Sequence, residues 1–331
     1  MLIMDCEGIG ALDEDSTHDS RIFSLAILLS SCFLYNSTGS IDENAVQNLS
    51  LIVNLTKNIH IKSSFGHGEE PDSEDYAKYF PTFVWVVRDF TLQLVDSEGE
   101  PISAKEYLER ALAAQKGFSD GIEQKNRIRR LLTSFFKERE CFTLVRPLTK
   151  EEDLQNLDQM DLDELRPEFA SQVITFRRFV LNRIKPKAMN NKVLNGPMYA
   201  ELTKSYINAI NEGAVPNIEN AWSYVCKNEC MKAMVEGIEA YDSLVRDVMN
   251  NKLPLSLEDL KNYHAQGKEK AFAIFKKKAI GDTVDEYAKE LRKKIKLKYC
   301  NLRLENEREF NVRYIFYKSA NILTREWQQH S

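Results

Sequence analysis

The sequence predicts an α/β domain built on a mainly parallel sheet, followed by an all-α helical domain. Three observations carry this expectation. Apolar runs at 29–35, 83–87 and 141–145 have the length and the aromatic and β-branched content of buried strands. Amphipathic helical patterns and polar loops separate them, as crossovers between parallel strands require. Beyond about residue 195 such runs stop, and apolar positions recur every three to four residues. The boundaries follow as residues 1–190 and 195–331, and 331 residues are enough for two cores.

The first element is Leu2–Met4, which reads as the end of a buried strand that opens into a loop at Asp5, Glu7 and Gly8. A carboxylate at the carboxyl end of a buried parallel strand is costly unless a cation sits opposite. In nucleotide-binding α/β folds that cation is usually a metal-bound phosphate. Gly8 has no Cβ to keep the backbone away from such a phosphate. Asp-x-Glu-Gly is therefore a candidate magnesium and γ-phosphate loop.

Residues 13–19 read as an acidic loop, and Arg21 to Leu28 as one or two helical turns. Ser40 or Asp42 is placed to cap a helix that buries Val46, Leu49, Val53 and Ile59. Lys62 to Glu74 reads as a polar loop. The strand at 83–87 ends in Arg88-Asp89. Ser103 to Glu106 forms a capping box, and a helix near 124–136 buries Ile128, Leu131, Leu132 and Phe135 with Arg127 and Arg130 outward. The strand at 141–145 ends in Arg146-Pro147. Asn190-Asn191 and Asn195-Gly196-Pro197 mark a linker. Helices then follow at 198–211, from Trp222 to Val245, at 257–278 before Gly281, and from Val284 to Leu302.

A formal charge of -5 gives no global reason to expect nucleic acid. The six cysteines are scattered and read as reduced thiols of a cytoplasmic protein, with Cys226 and Cys230 as core residues. Ile22 to Tyr35, the most apolar run, is broken by serines and too short to span a bilayer. His-Glu-x-x-His and Gly-x-Ser-x-Gly are both missing, and His60, His67, His264 and His330 have no nearby partner in sequence. Gly8-Ile9-Gly10 suggests a dinucleotide loop, but Asp13 stands where the third glycine belongs. Lys125, Arg127, Arg129 and Arg130 read as a solvated helix face before they read as phosphate contacts.

Arg88-Asp89 has two readings. One is a surface ion pair at a strand end. The other is a base reader, since a carboxylate can accept from both N1–H and the exocyclic amine of guanine, a pair that adenine does not offer.

The chain resembles the guanylate-binding proteins, large dynamin-like GTPases with a GB1/RHD3-type G domain. The resemblance rests on Met4-Asp5-Cys6-Glu7-Gly8, on Ile22-Phe23-Ser24-Leu25-Ala26, and on Phe83-Val84-Trp85-Val86-Val87-Arg88-Asp89-Phe90. It extends through Cys141-Phe142, Arg146-Pro147, Pro167-Glu168-Phe169, Asn195-Gly196-Pro197 and Tyr206-Ile207-Asn208-Ala209-Ile210. It implies a P-loop-NTPase-type sheet in residues 1–190 and the start of a helical middle domain in 195–331. It also implies GTP and Mg²⁺ as ligands, with Asp5 holding the metal through water, Glu7 and Gly8 beside the γ-phosphate, and Arg88 and Asp89 reading guanine. Leu148 to Arg166 corresponds to a guanine cap that meets a second G domain in a homodimer or heterodimer. The family assembles on membranes or pathogen surfaces.

One departure bears on mechanism. No Gly-x-x-x-x-Gly-Lys-Ser occurs in the 331 residues, so the expectation is a G domain truncated at its N-terminus, missing its P-loop strand and switch I and impaired in GTP hydrolysis. The alternative reading is an inactive interaction module that pairs with full-length relatives.

Overall fold

The structure is a computed structural model that describes residues 1–6, 16–61, 76–117 and 119–329. The chain divides into two compact units, Met1–Ala221 and Trp222–Ser331. The predicted polar loop at 62–74 lies outside the described residues.

The first unit is organised on β2 (Thr82–Arg88), whose residues Phe83 to Val87 are all buried. It lies between β1 (Cys32–Thr38) and β3 (Arg139–Thr143), and both pairings are parallel. A middle strand covered on both faces needs a continuous apolar run, which explains the lack of alternation in Phe-Val-Trp-Val-Val. One face carries an aromatic layer of Phe33, Tyr35, Phe83, Trp85 and Phe136, with Phe83 and Phe136 centroids 5.0 Å apart. On the other face Val84, Val86 and Leu144 pack with Phe169, Val173 and Phe176. These three come from Pro167–Arg183, a helix that begins with proline in its first turn.

Several boundaries differ from the sequence expectation. Leu2–Met4 forms no strand, and Leu2 and Ile3 are 70% and 79% exposed. An extended segment becomes a strand only by pairing, and the three-stranded sheet takes no partner from this segment. Helix α1 (Ser16–Leu29) takes in residues 16–19 of the expected acidic loop. Its serines are tolerated because the Ser24 hydroxyl donates to the Ser20 carbonyl at 2.7 Å. The predicted single helix after Asp42 is broken into α2 (Glu43–Asn48), a 3₁₀ segment (Leu49–Asn54) and α3 (Leu55–Asn58). The buried residues there are Val46, Leu49, Ile52 and Leu55. Spacing by threes suits the tighter helix, with its three residues per turn. Asp42 is the cap, accepting from Ala45 N at 2.8 Å.

Helix α4 (Ala104–Ala111) begins with the predicted capping box. In α5 (Asp120–Phe135), Ile128, Leu132 and Phe135 are buried, Leu131 is half-buried, and Arg127 and Arg130 are exposed. Arg129 departs from the expected solvated face: it is 3% exposed and pairs with Glu43. Helix α6 is Pro167–Arg183. Strands β4 (Ala188–Met189) and β5 (Lys192–Val193) form a hairpin turned at Asn190 and Asn191, both with positive φ. The Asn195 side chain, expected in a linker, instead caps α7 (Gly196–Asn211) by accepting from Met198 N at 2.9 Å.

Lys187, at the entry to the hairpin, closes this unit from below. Its ammonium donates to the carbonyls of Ser30 and Tyr79, both at 2.9 Å. The ammonium end is buried although the residue as a whole is half-buried, and desolvation pushes its pKa down to about 8. A neutral amine still has two N–H groups for the two carbonyls. Between pH 8 and 10.5 the unfolded chain therefore binds the extra proton, and stability rises with pH. Against Lys187→Met, wild type should gain on the order of 2 kcal/mol across that window, read from urea midpoints. The variant comparison is needed because buried Cys141 and Tyr206 have raised pKa values and act in the opposite sense.

The second unit packs the later part of α8 (Ile218–Asn251) with α9 (Leu257–Lys278) and α10 (Val284–Gln329). Met234, Tyr241, Ala271, Phe275, Leu291 and Ile295 form its main core, and Val248, Leu260 and Leu302 form a second cluster. Gly237 allows the close helix approach, since a Cβ there would lie 2.9 Å from the Ala271 carbonyl oxygen. His264 is not isolated: it stacks on Tyr299 at 3.9 Å, and its Nδ1 lies 2.8 Å from the Tyr241 hydroxyl. Among the described residues no helix is long and apolar enough to cross a membrane.

Asn306 is 1% exposed and replaces a missing backbone partner. Its amide accepts from Leu255 N at 2.7 Å and donates to Leu255 O at 3.0 Å. Asn306→Ala should cost about 2–4 kcal/mol in chemical denaturation, because two backbone groups lose their partner at once. Asn306→Asp, which keeps the acceptor but sets a buried carboxylate oxygen against the Leu255 carbonyl, should cost at least as much as the alanine variant.

Candidate functional site

Three parallel strands bring their carboxyl ends to one edge of the sheet, and the backbone ties these ends together. Gly39 N donates to Arg88 O at 2.8 Å, Leu144 N to Val87 O at 2.8 Å, and Phe90 N to Leu144 O at 2.9 Å. Ligands of open α/β sheets bind outside this edge. At its middle stands Asp89, with φ of +52°. A left-handed backbone is uncommon for residues other than glycine, and aspartate is among those that tolerate it.

The reversal at Asp89 separates the two side chains that flank it from Phe90. Phe90 turns inward, 7% exposed, with its ring 5.6 Å from that of Tyr107. The Tyr107 hydroxyl accepts from Ile41 N at 2.8 Å, anchoring the chain just after β1. Arg88 and Asp89 remain exposed, and among the described residues neither takes part in an ion pair. Sequence reasoning singled out Asp89 as a candidate but did not anticipate the Phe90–Tyr107 anchor. The signal for it was slight: an aromatic residue just beyond the predicted strand and another in the helix that follows the capping box.

On the β3 side of the same edge, Val145 N donates to Gln172 Oε1 at 2.8 Å. Arg166 N donates to Pro147 O at 2.9 Å, so the segment 148–165 leaves and returns at nearly one point. Arg146 reaches into it to pair with Glu151 at 3.1 Å. The segment itself is a 3₁₀ stretch (Glu152–Gln159) and turns with no buried residue in the stretch.

Asp5 is placed elsewhere. It is exposed in a cleft of about 570 Å³ that it lines with Met4, Cys6, His18 and the Ile22, Leu25 and Leu29 side of α1. The Tyr199 hydroxyl holds Met4 there, 3.6 Å from its sulfur. The structure therefore groups Arg88, Asp89 and Arg146 on the strand edge and sets Asp5 against α1. Glu7 and Gly8 lie outside the described residues.

No group of three or more His, Cys, Asp or Glu side chains able to hold a metal occurs among the described residues. A magnesium ion that accompanies a nucleotide takes one or two protein oxygens and fills its shell with phosphate and water, so a single exposed carboxylate at Asp5 fits that kind of ion. Burial pushes the Cys141 thiol up to about 12 and Cys226 up to about 11, which leaves both protonated.

Two family models cover the chain: the guanylate-binding protein N-terminal domain matches residues 1–189, and the guanylate-binding protein C-terminal domain matches 190–313. Guanylate-binding protein 1 of Chlorocebus aethiops is 34% identical over 312 residues, 93% of this chain and 52% of that protein. Guanylate-binding protein 2 of Homo sapiens is 35% identical over 296 residues, 88% of this chain and 49% of that protein. The chain thus spans about half the length of these relatives. The N-terminal-domain match runs from residue 1. That finding overturns the expectation of a domain truncated at its N-terminus. The chain belongs to the guanylate-binding protein family.

Proposed function

We propose that the strand edge at Arg88-Asp89 is the base-reading end of a GTP-binding site, and that the reaction it serves is GTP hydrolysis. The observation that carries this reading is Asp89 itself: exposed, free of ion pairs among the described residues, and in a left-handed conformation at the end of the buried middle strand. A carboxylate there is ready to accept from N1–H and the 2-amino group of guanine. The exposed Arg88 stands next to it, and segment 148–165 rises beside the same edge as a cap. Asp5 would hold a magnesium ion through water, and Glu7 and Gly8 would lie near the γ-phosphate. Bound magnesium would offset phosphate charge.

The 331 residues hold no Gly-x-x-x-x-Gly-Lys-Ser, the stretch whose backbone N–H groups and lysine grip phosphates. Within these residues the base end therefore carries most of the recognition, and hydrolysis is slow. A second reading is an interaction module that pairs with family members through segment 148–165. It is favoured by the exposed Leu162, 42% accessible on that segment.

The test is titration of the purified chain with fluorescent GTP and ATP analogues, with and without magnesium. Saturable binding that prefers guanine is the expected result. Equal binding of both analogues, or none by a chain folded by circular dichroism, overturns the base-reading proposal.

A further inference from the structure

Asp89 holds a left-handed backbone, φ +52°, without the freedom of glycine. A residue with a Cβ keeps that conformation only where its surroundings impose it. Both peptide groups that flank Asp89 are held. In the group before it, Arg88 O accepts from Gly39 N at 2.8 Å, and in the group after it, Phe90 N donates to Leu144 O at 2.9 Å. Each group is planar, so fixing the two planes fixes φ and ψ of Asp89 and the direction in which its carboxylate leaves the strand edge.

The second of these holds is completed by a side chain. Leu144 C=O and Val145 N–H belong to one trans peptide group and point in opposite directions. While the oxygen faces Phe90 N, the N–H donates to Gln172 Oε1 at 2.8 Å. A bond accepted from the N–H side polarises the carbonyl on the other side, which makes the oxygen a better partner for Phe90. It also stops the plane from turning. Gln172 is delivered there by packing that does not depend on its amide. In α6 its neighbours Phe169, Val173 and Phe176 lie against Val84, Val86 and Leu144.

We propose that Gln172 is a positioning residue for Asp89, acting through the 144–145 peptide group, a role that rests on the base-reading proposal above. Its consequence is selectivity. A carboxylate aimed by two fixed planes meets N1–H and the 2-amino group of guanine together, whereas one free to turn meets them only part of the time. Gln172 therefore sharpens the preference for guanine and leaves contacts to the rest of the nucleotide as they are.

Gln172→Leu removes the acceptor and keeps most of the volume. In the nucleotide-free variant, amide exchange should quicken at Val145 and also at Phe90, on the far side of the peptide group. Leu144 N, which donates to Val87 O at 2.8 Å, belongs to the preceding group and should keep its wild-type rate. A general loosening of α6 or β3 would move Leu144 as well. Gln172→Glu, which still offers Val145 an acceptor, should restore the Phe90 rate. The leucine variant should bind a fluorescent GTP analogue about 3- to 10-fold more weakly, the worth of one neutral hydrogen bond, with the ATP analogue unchanged. Phe90 exchange that stays at its wild-type rate, or that quickens no more than Leu144, overturns the positioning role. So does wild-type affinity for the GTP analogue, or an equal loss for both analogues. A wild-type chain with no preference for guanine overturns the base-reading proposal instead. The exchange rates, measured without nucleotide, then still decide whether Gln172 holds the Asp89 turn. If Gln172→Leu fails to fold, Gln172→Met removes the same acceptor and gives the same readings.

Discussion

Asp89→Asn should weaken binding of a GTP analogue by about 10- to 100-fold, the loss expected when hydrogen bonds to a charged acceptor are removed. The carboxylate presents two acceptors, and guanine offers two donors, N1–H and the 2-amino group. An amide presents one acceptor and one donor, so one bond is lost and the amide N–H₂ faces the 2-amino group of the base. The same reasoning predicts a gain. Xanthine carries a carbonyl at position 2, which the asparagine amide can serve while its oxygen still accepts from N1–H. The variant should therefore prefer xanthosine triphosphate over GTP, and competition titration against the fluorescent analogue measures both halves of the exchange. Asp89 is exposed, and asparagine tolerates the same left-handed backbone, so the variant should keep the stability of wild type. Unchanged GTP affinity in a folded Asp89→Asn chain would show that guanine is not read at this position.

How legible each part was depends on whether it is fixed locally or at a distance. The sheet could be read because β2 is buried on both faces, and five successive buried residues leave a continuous apolar signature. The capping box at Ser103 could be read because its two hydrogen bonds close within four residues. The strand expected at Leu2–Met4 failed for the complementary reason. Its apolar residues satisfy the local pattern, but pairing is decided by what lies alongside, and three apolar residues do not specify that. Arg129 was misread likewise. A basic residue in a basic run on a helix normally faces water, and only Glu43, 86 positions away, makes its burial tolerable. For the candidate site the residue type and the strand end were visible in sequence, whereas the left-handed backbone of Asp89 and its anchor through Phe90, Tyr107 and Ile41 were not. Those contacts span 66 positions at the widest.

The burial of Arg129 gives a large stability effect, and it should be asymmetric. Its guanidinium is enclosed: Nε donates to Ala111 O at 3.0 Å, the side chain is 3% exposed, and its charged partner among the described residues is Glu43. Glu43 is less confined. It is 37% exposed, accepts from the Gln115 amide, and has Lys125 Nζ at 3.5 Å. Removing the carboxylate strands a buried cation, whereas removing the cation leaves a carboxylate that still has water and a lysine. Glu43→Ala should therefore cost about 2–4 kcal/mol, below the full range for a buried pair because one partner is partly solvated. Arg129→Met, which fills most of the same volume, should cost about 1 kcal/mol, chiefly for the Ala111 carbonyl it leaves without a donor. The double variant should be more stable than Glu43→Ala alone, since the second change removes the stranded charge. Urea midpoints of the four chains complete the cycle, and a coupling near zero would show that Glu43 does not compensate the buried guanidinium.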